Sequence, residues 1–217
     1  MKYIVMCGGE YPKFDTPRQL LRINGEPIAA RTIRLLRENG IEDISVSATD
    51  ERFKQLGVPM LVHDNGYRAW EYNVCEGYWC DGFYPTTEPV CYVFGDVVFS
   101  PAAIKTIVGT ETDDVAFFGS AWPWPAEYPK PWIEPYGFKV VNLEHFWKSI
   151  EEVKRIDKAG GFNRKPIAWE LWNVIHGGPD PNYIFSDSYV HINDWTCDID
   201  KPEEIPLLER LARYADV

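Results

Sequence analysis

The sequence predicts an α/β domain of three layers, a mostly parallel central sheet flanked by helices. Three observations predict it. Short apolar, β-rich runs alternate with helical runs through the first half of the chain, the pattern of parallel strands joined by crossover helices. The 217 residues suit one large domain. Glycine and aspartate come directly after apolar runs, at Gly8-Gly9 and Gly95-Asp96, where open parallel sheets hold their ligands.

Taken in order, residues 3–7 form a buried strand stopped by two glycines, and a polar, proline-containing loop spans 8–19. Residues 20–23 are a short extended piece and Asn24-Gly25 a turn. Pro27 suits the first turn of a helix that runs to Asn39 and stops at Gly40. Next come strand 44–48, a short helix capped by Asp50 and ending near Gly57, and strand 60–62. Residues 67–80 are expected to be helical, 90–94 a central strand, Pro101 to Val108 a helix and 114–119 a strand. The Pro- and Trp-rich residues 120–135 are given no regular structure. Strand 136–141, helix 143–157, helix 167–175, short strands 183–185 and 189–192, and a closing helix 202–214 complete the chain.

Charge and composition exclude several functions. Acidic residues number 33 against 22 basic ones, a net charge of −11, so nucleic-acid coating is not expected. A nucleotide substrate stays open, because a few placed cations can hold a triphosphate. No window approaches the roughly 18 apolar residues of a membrane span. The opening run is broken by glycine too soon for a secretory leader. The five cysteines are odd in number and scattered, which points to reduced thiols in a cytoplasmic protein rather than disulfides or zinc.

Four segments carry candidate chemistry. Cys7-Gly8-Gly9-Glu10, with Lys13 and Arg18 beyond it, reads either as a backbone cradle for phosphate with two supporting cations or as a glycine turn with two solvated ones. Asp96 ends an apolar run, where a carboxylate is costly unless it is paired or binds a cation; magnesium and turn capping are the two readings. Asp198 and Asp200 share one face of an extended chain and suit a metal, while Asp200 also stands where a helix cap would. Glu134 precedes a strand and can accept hydrogen bonds from substrate hydroxyls. The aromatic load is high, with nine Trp, twelve Tyr and eleven Phe. Trp122, Trp124, Trp132 and Tyr136, with Tyr128, can stack on a sugar or cage a quaternary ammonium; the other reading is a folded lid or a homodimer contact.

Together these segments resemble the GT-A-type nucleotidyltransferases. This group spans the MobA-like NTP transferases, the sugar-1-phosphate nucleotidylyltransferases, and the cytidylyltransferases for phosphocholine and methylerythritol phosphate. Their opening Gly-Gly-x-Gly-[Ser/Thr]-Arg, Pro-Lys-x-Leu and Gly-[Lys]-Pro are matched by Gly8-Gly9, Pro17-Arg18-Gln19-Leu20 and Gly25-Glu26-Pro27. Gly95-Asp96 and Asp200-Lys201-Pro202-Glu203-Glu204 match their later Gly-Asp and Asp-[Thr]-Pro-Glu-Asp. Tyr11 and Pro12 replace the loop's glycine and Ser/Thr, Lys13 stands for the family arginine, and Arg18 for its lysine.

The resemblance implies a Rossmann-like, GT-A-type fold in one domain. Residues 1–110 would be the nucleotide-binding half and 111–217 the acceptor-binding half. It implies transfer of a nucleoside monophosphate from a nucleoside triphosphate to a small phosphorylated acceptor, with pyrophosphate leaving. Arg18 and Lys13 would be catalytic, Cys7, Gly8, Gly9 and Glu10 nucleotide-binding, and Trp122, Trp124, Trp132, Glu134 and Tyr136 acceptor-binding. Asp96, Asp198 and Asp200 would hold Mg2+. Two alternatives stand beside it: a GT-A glycosyltransferase, and a catalytically inactive nucleotide-binding or interaction module, which the Tyr11-Pro12 departure favours.

Overall fold

A computed structural model describes residues 1–8, 14–71, 74–126, 128–178 and 187–215. The strands are β1 (Lys2–Met6), β2 (Arg22–Ile23), β3 (Glu26–Pro27), β4 (Ile44–Ala48), β5 (Met60–Val62), β6 (Arg68–Glu71), β7 (Val74–Glu76), β8 (Val90–Phe94), β9 (Val97–Val98), β10 (Val115–Gly119), β11 (Pro135–Val140), β12 (Tyr189–His191) and β13 (Cys197–Asp198). The α-helices are α1 (Ile28–Glu38), α2 (Pro101–Gly109), α3 (Leu143–Lys158), α4 (Ala168–Ile175) and α5 (Ile205–Ala215).

Seven strands form the main sheet in the order β12-β10-β11-β8-β1-β4-β5. All neighbours in it run parallel except β11, which is antiparallel to both β8 and β10. The central strands β1, β4 and β8 are buried on both sides because helices cover both faces. On one face Tyr92, Phe117 and Phe138 meet Phe146 of α3 and Trp169 and Trp172 of α4, in both stacked and edge-to-face pairs. On the other, Lys139 reaches the C-terminal end of α2, donating to the carbonyls of Val108 and Thr110 at 3.1 and 2.6 Å. The three-layer expectation therefore holds, and Lys139 is a buried cap on α2.

Local signals act as their chemistry requires. The Ser100 hydroxyl accepts from the Ala103 amide at 2.9 Å, with Pro101 in the first turn of α2. Asn142 caps α3 through the His145 amide at 3.1 Å. Asp50 accepts from the Arg52 amide at 2.8 Å, and the turn of 3-10 helix it starts, Glu51–Leu56, ends on Gly57. Asn24 and Gly25, with φ of 51° and 85°, make the tight turn that closes the β2–β3 hairpin.

Residues 67–80 are not the expected helix. Arg68–Glu71 and Val74–Glu76 pair antiparallel as β6 and β7, and a 3-10 turn over Trp79–Gly82 follows. The stretch is rich in aromatic residues and Gly77 sits at φ 71°, which suits a strand pair and its turn better than a helix. Pro27 lies at the N-cap of α1 rather than inside it. The closing helix is divided into a 3-10 turn, Pro202–Glu204, and α5. The expected strand 183–185 lies outside the described residues. No described helix is long and apolar enough to cross a membrane.

Candidate active site

Two short ladders bring distant carboxylates to the carboxyl ends of β1 and β8. β1 pairs with β8 in parallel, and the Gly95 amide donates to the Met6 carbonyl at 2.9 Å. A Cβ on Gly95 would lie 2.5 Å from the Met6 carbonyl oxygen and 2.8 Å from the Cys7 sulfur. Glycine there lets Asp96 start directly beside the segment that leaves β1. β13 pairs antiparallel with β9, setting Asp198 opposite Val97, and the Ile199 amide donates to the Asp96 carbonyl at 3.3 Å. Asp96, Asp198 and Asp200 thus converge, as the sequence led one to expect.

What fills the space between them was not expected. The Arg18 guanidinium lies between Asp96 and Asp200: Nη2 is 2.6 Å from an Asp96 oxygen and Nη1 is 3.5 Å from an Asp200 oxygen. Nη1 also donates to the Ile199 carbonyl at 2.8 Å. Arg18 comes from a 3-10 turn, Arg18–Leu20, that packs against α1. Asp96 is therefore an ion-pair partner rather than a turn cap. Asp200 is not the helix cap either, since the Glu204 carboxylate turns back to the Asp200 and Lys201 amides at 2.8 and 3.2 Å.

Beside this pair lies a half-buried cluster. One carboxylate oxygen each from Glu134, Asp198 and Asp200 lie within 4.8 Å of one another. Such oxygens are the donor set of a hard divalent cation. The cation among them is the ammonium of Lys130. It donates to Asp200 at 2.7 Å and to Glu134 at 3.1 Å, and in a short contact to Asp198. Its side chain is only 2% exposed. In the structure Asp198 and Asp200 are both partners of Lys130, and the same three carboxylates are those that could hold a metal ion. Burial, and then the neighbouring carboxylates, push Glu134 up to about 8 and, against the pull of Lys130, Asp198 up to about 6. Burial pulls the lysine's own pKa down, but the surrounding carboxylates outweigh it and the ammonium stays charged.

Lys130 is the residue at this cluster that motif reading missed. It stands in the Trp/Pro segment, which carries no periodic signal. Its spacing of four residues before Glu134 is the one local hint, because its other partners are 68 and 70 positions away.

The remaining candidates divide. Cys7 is buried, and burial, with Asp96 nearby, holds its thiol well above its usual pKa, so only its backbone can face a nucleotide. Gly8 lies beside Asn65, with room for a Cβ at 3.5 Å. Gly9, Glu10 and Lys13 lie outside the described residues. Trp122 and Trp132 are exposed, 73% and 47%, and Trp124 stacks on Tyr128. The Trp132 indole N–H donates to Glu134 in a short contact. Tyr136 corrects an expectation. It is fully buried, with its hydroxyl donating to the Thr196 carbonyl, so it belongs to the core and offers no face to an acceptor.

Comparisons with known proteins agree with this architecture. The inositol-1-phosphate CTP transferase from T. maritima superposes with a TM-score of 0.53 at 14% identity, covering 97% of this chain and 95% of that one. A Bacillus anthracis protein assigned as a glucose-1-phosphate thymidylyltransferase, solved with sucrose, gives 0.59 at 13% identity over 98% and 95%. At such identities the likeness is one of fold. No curated protein matches the chain. The MobA-like NTP transferase domain matches residues 3–138, and the chain belongs to that family of nucleotidyltransferases.

Proposed function

We propose that this protein transfers a nucleoside monophosphate from a nucleoside triphosphate to a small phosphorylated acceptor, a sugar phosphate or a phospho-alcohol. The observation that carries this reading is the convergence of Gly8, Arg18, Asp96 and Asp200 at the carboxyl ends of β1 and β8 in a chain of the NTP transferase family. An acceptor phosphate oxygen attacks the α-phosphorus in line. The bond from that phosphorus to the bridging oxygen breaks, and pyrophosphate leaves. Catalysis of this kind is positioning and charge, which is what the site offers.

In this reading the backbone after β1, with Cys7, Gly8, Gly9 and Glu10, lines the nucleotide, and Arg18 and Lys13 steady its phosphates. Magnesium enters as the counter-ion that a triphosphate brings. Trp122, Trp124 and Trp132 form the acceptor wall. Residues 1–110 serve the nucleotide and 111–217 the acceptor. Two structural neighbours named for inositol-1-phosphate and glucose-1-phosphate support a phosphorylated alcohol or sugar as acceptor. The free thiols suit a cytoplasmic enzyme.

One observation favours the inactive alternative: Arg18 and Lys130 are both engaged by internal carboxylates. A matrix of four nucleoside triphosphates against phosphorylated sugars and alcohols, read by pyrophosphate release and by thermal shift, separates the readings. Pyrophosphate release that needs an acceptor supports transfer. Nucleotide binding with no release in any combination supports the inactive module, and release of a nucleoside diphosphate from a sugar nucleotide supports a glycosyltransferase.

A further inference from the structure

We propose that Lys130 is the resident cation of the acidic cluster, a tethered ammonium filling the position among Glu134, Asp198 and Asp200 that a divalent metal would otherwise take. The inference goes beyond nucleotidyl transfer and does not require turnover.

Three features carry it. The first is stoichiometry: an ammonium has three N–H donors and no acceptor, and Lys130 gives one contact to each of three carboxylates. The second is shared ligands: the three oxygens lie within 4.8 Å of one another, as those around a divalent ion do, and each already accepts from the Lys130 ammonium. Ammonium and metal exclude each other there.

The third is the tether. Lys130 sits on a segment anchored on both sides. The Glu134 amide donates to the Ser120 hydroxyl at 2.8 Å, Ser120 and Tyr128 share a hydrogen bond of 2.7 Å, and Tyr128 donates to the Trp132 carbonyl at 3.1 Å. Trp132 closes over the cluster, its ring centroid 5.7 Å from the ammonium and its N–H on Glu134. The lysine is built into the floor of the site rather than carried on a swinging lid. Arg18 plays the corresponding part for Asp96. The chain thereby supplies its own positive charge to all four carboxylates.

The test is a Mn2+ titration of the nucleotide-free full chain, monitored by electron paramagnetic resonance of free Mn2+ and by thermal shift. Wild type, Lys130→Gln, and Lys130→Gln combined with Asp198→Asn are compared. Wild type is expected to show only weak, millimolar binding and no rise in Tm. Lys130→Gln vacates the ammonium while keeping a donor. It is expected to gain one Mn2+ per chain, bound at least tenfold more tightly than by wild type, with a metal-dependent rise in Tm. Adding Asp198→Asn is expected to abolish that gain.

Stoichiometric micromolar Mn2+ binding by wild type, lost in Asp198→Asn, overturns the proposal, because the metal would then displace the lysine. Failure of a folded Lys130→Gln to gain a site also overturns it. If Lys130→Gln does not fold in chelator, refolding on addition of Mn2+ supports the proposal. If it folds under neither condition, the wild-type titration decides alone.

Discussion

Removing the Arg18 guanidinium is the most informative single change. In Arg18→Ala, Asp96 loses a partner at 2.6 Å and the Ile199 carbonyl a donor at 2.8 Å. A hydrogen bond to a charged group contributes about 1.5–3 kcal/mol and one to a neutral carbonyl about 1 kcal/mol. Both side chains of the Arg18–Asp96 pair are 19% exposed, so water reaches them and the lower half of that range applies. The expected loss is about 2–3 kcal/mol. For a chain of this size each kcal/mol moves Tm by about 2–4 °C, so calorimetry should show a fall of about 4–12 °C.

Pyrophosphate release should fall further than stability alone explains, by about 10²–10³-fold, as when a fixed charge is removed from a transition state. Arg18→Lys sharpens the test. On charge alone lysine would serve, and it is the residue of the resembling motif. The structure, however, uses two nitrogens of a planar fork, one on Asp96 and one on the Ile199 carbonyl and Asp200. One ammonium nitrogen cannot stand at both nitrogen positions of that fork, so Arg18→Lys should recover less than half of the lost Tm. A Tm within 1 °C of wild type and an unchanged rate for Arg18→Ala would show a solvated cation with no part in the site.

Three further outcomes are expected. Gly95→Ala places a Cβ 2.5 Å from the Met6 carbonyl oxygen, so it should cost about 1–3 kcal/mol in urea unfolding and lower turnover by shifting Asp96. Trp122 is 73% exposed, so Trp122→Ala should leave Tm within about 2 °C while raising the acceptor KM if the aromatic wall binds acceptor; an unchanged KM removes Trp122 from that wall. His176 packs on Trp172, and burial lowers its pKa below the usual 6.5, so it is held neutral. The unfolded chain then binds the extra proton more readily, and this contribution, present above about pH 6.5, is lost as pH falls below it. The urea midpoint of wild type should drop more between pH 7.5 and 5.5 than that of His176→Gln.

Much of the fold was legible because its signals are local. The apolar runs of β1 and β8, the Asp50 cap, Pro101 at the start of α2 and the Asn24-Gly25 turn each act within a few residues of themselves. Asp96 was legible because parallel strands deliver their C-terminal neighbours to one edge of the sheet, and Asp198 and Asp200 because they share one face of an extended stretch, while the antiparallel β9–β13 ladder that joins them was not. The β6–β7 pair was not, since a short aromatic stretch satisfies helix and strand spacings alike and pairing between its two halves decides. Nor was the burial of Tyr136, which depends on Thr196, 60 positions away. The cation was the largest matter left to tertiary structure. Sequence spacing shows where carboxylates gather, but repulsion among them must be relieved by whichever positive charge the fold delivers. Here the loop anchored by Ser120 and Tyr128 delivers Lys130 among Glu134, Asp198 and Asp200.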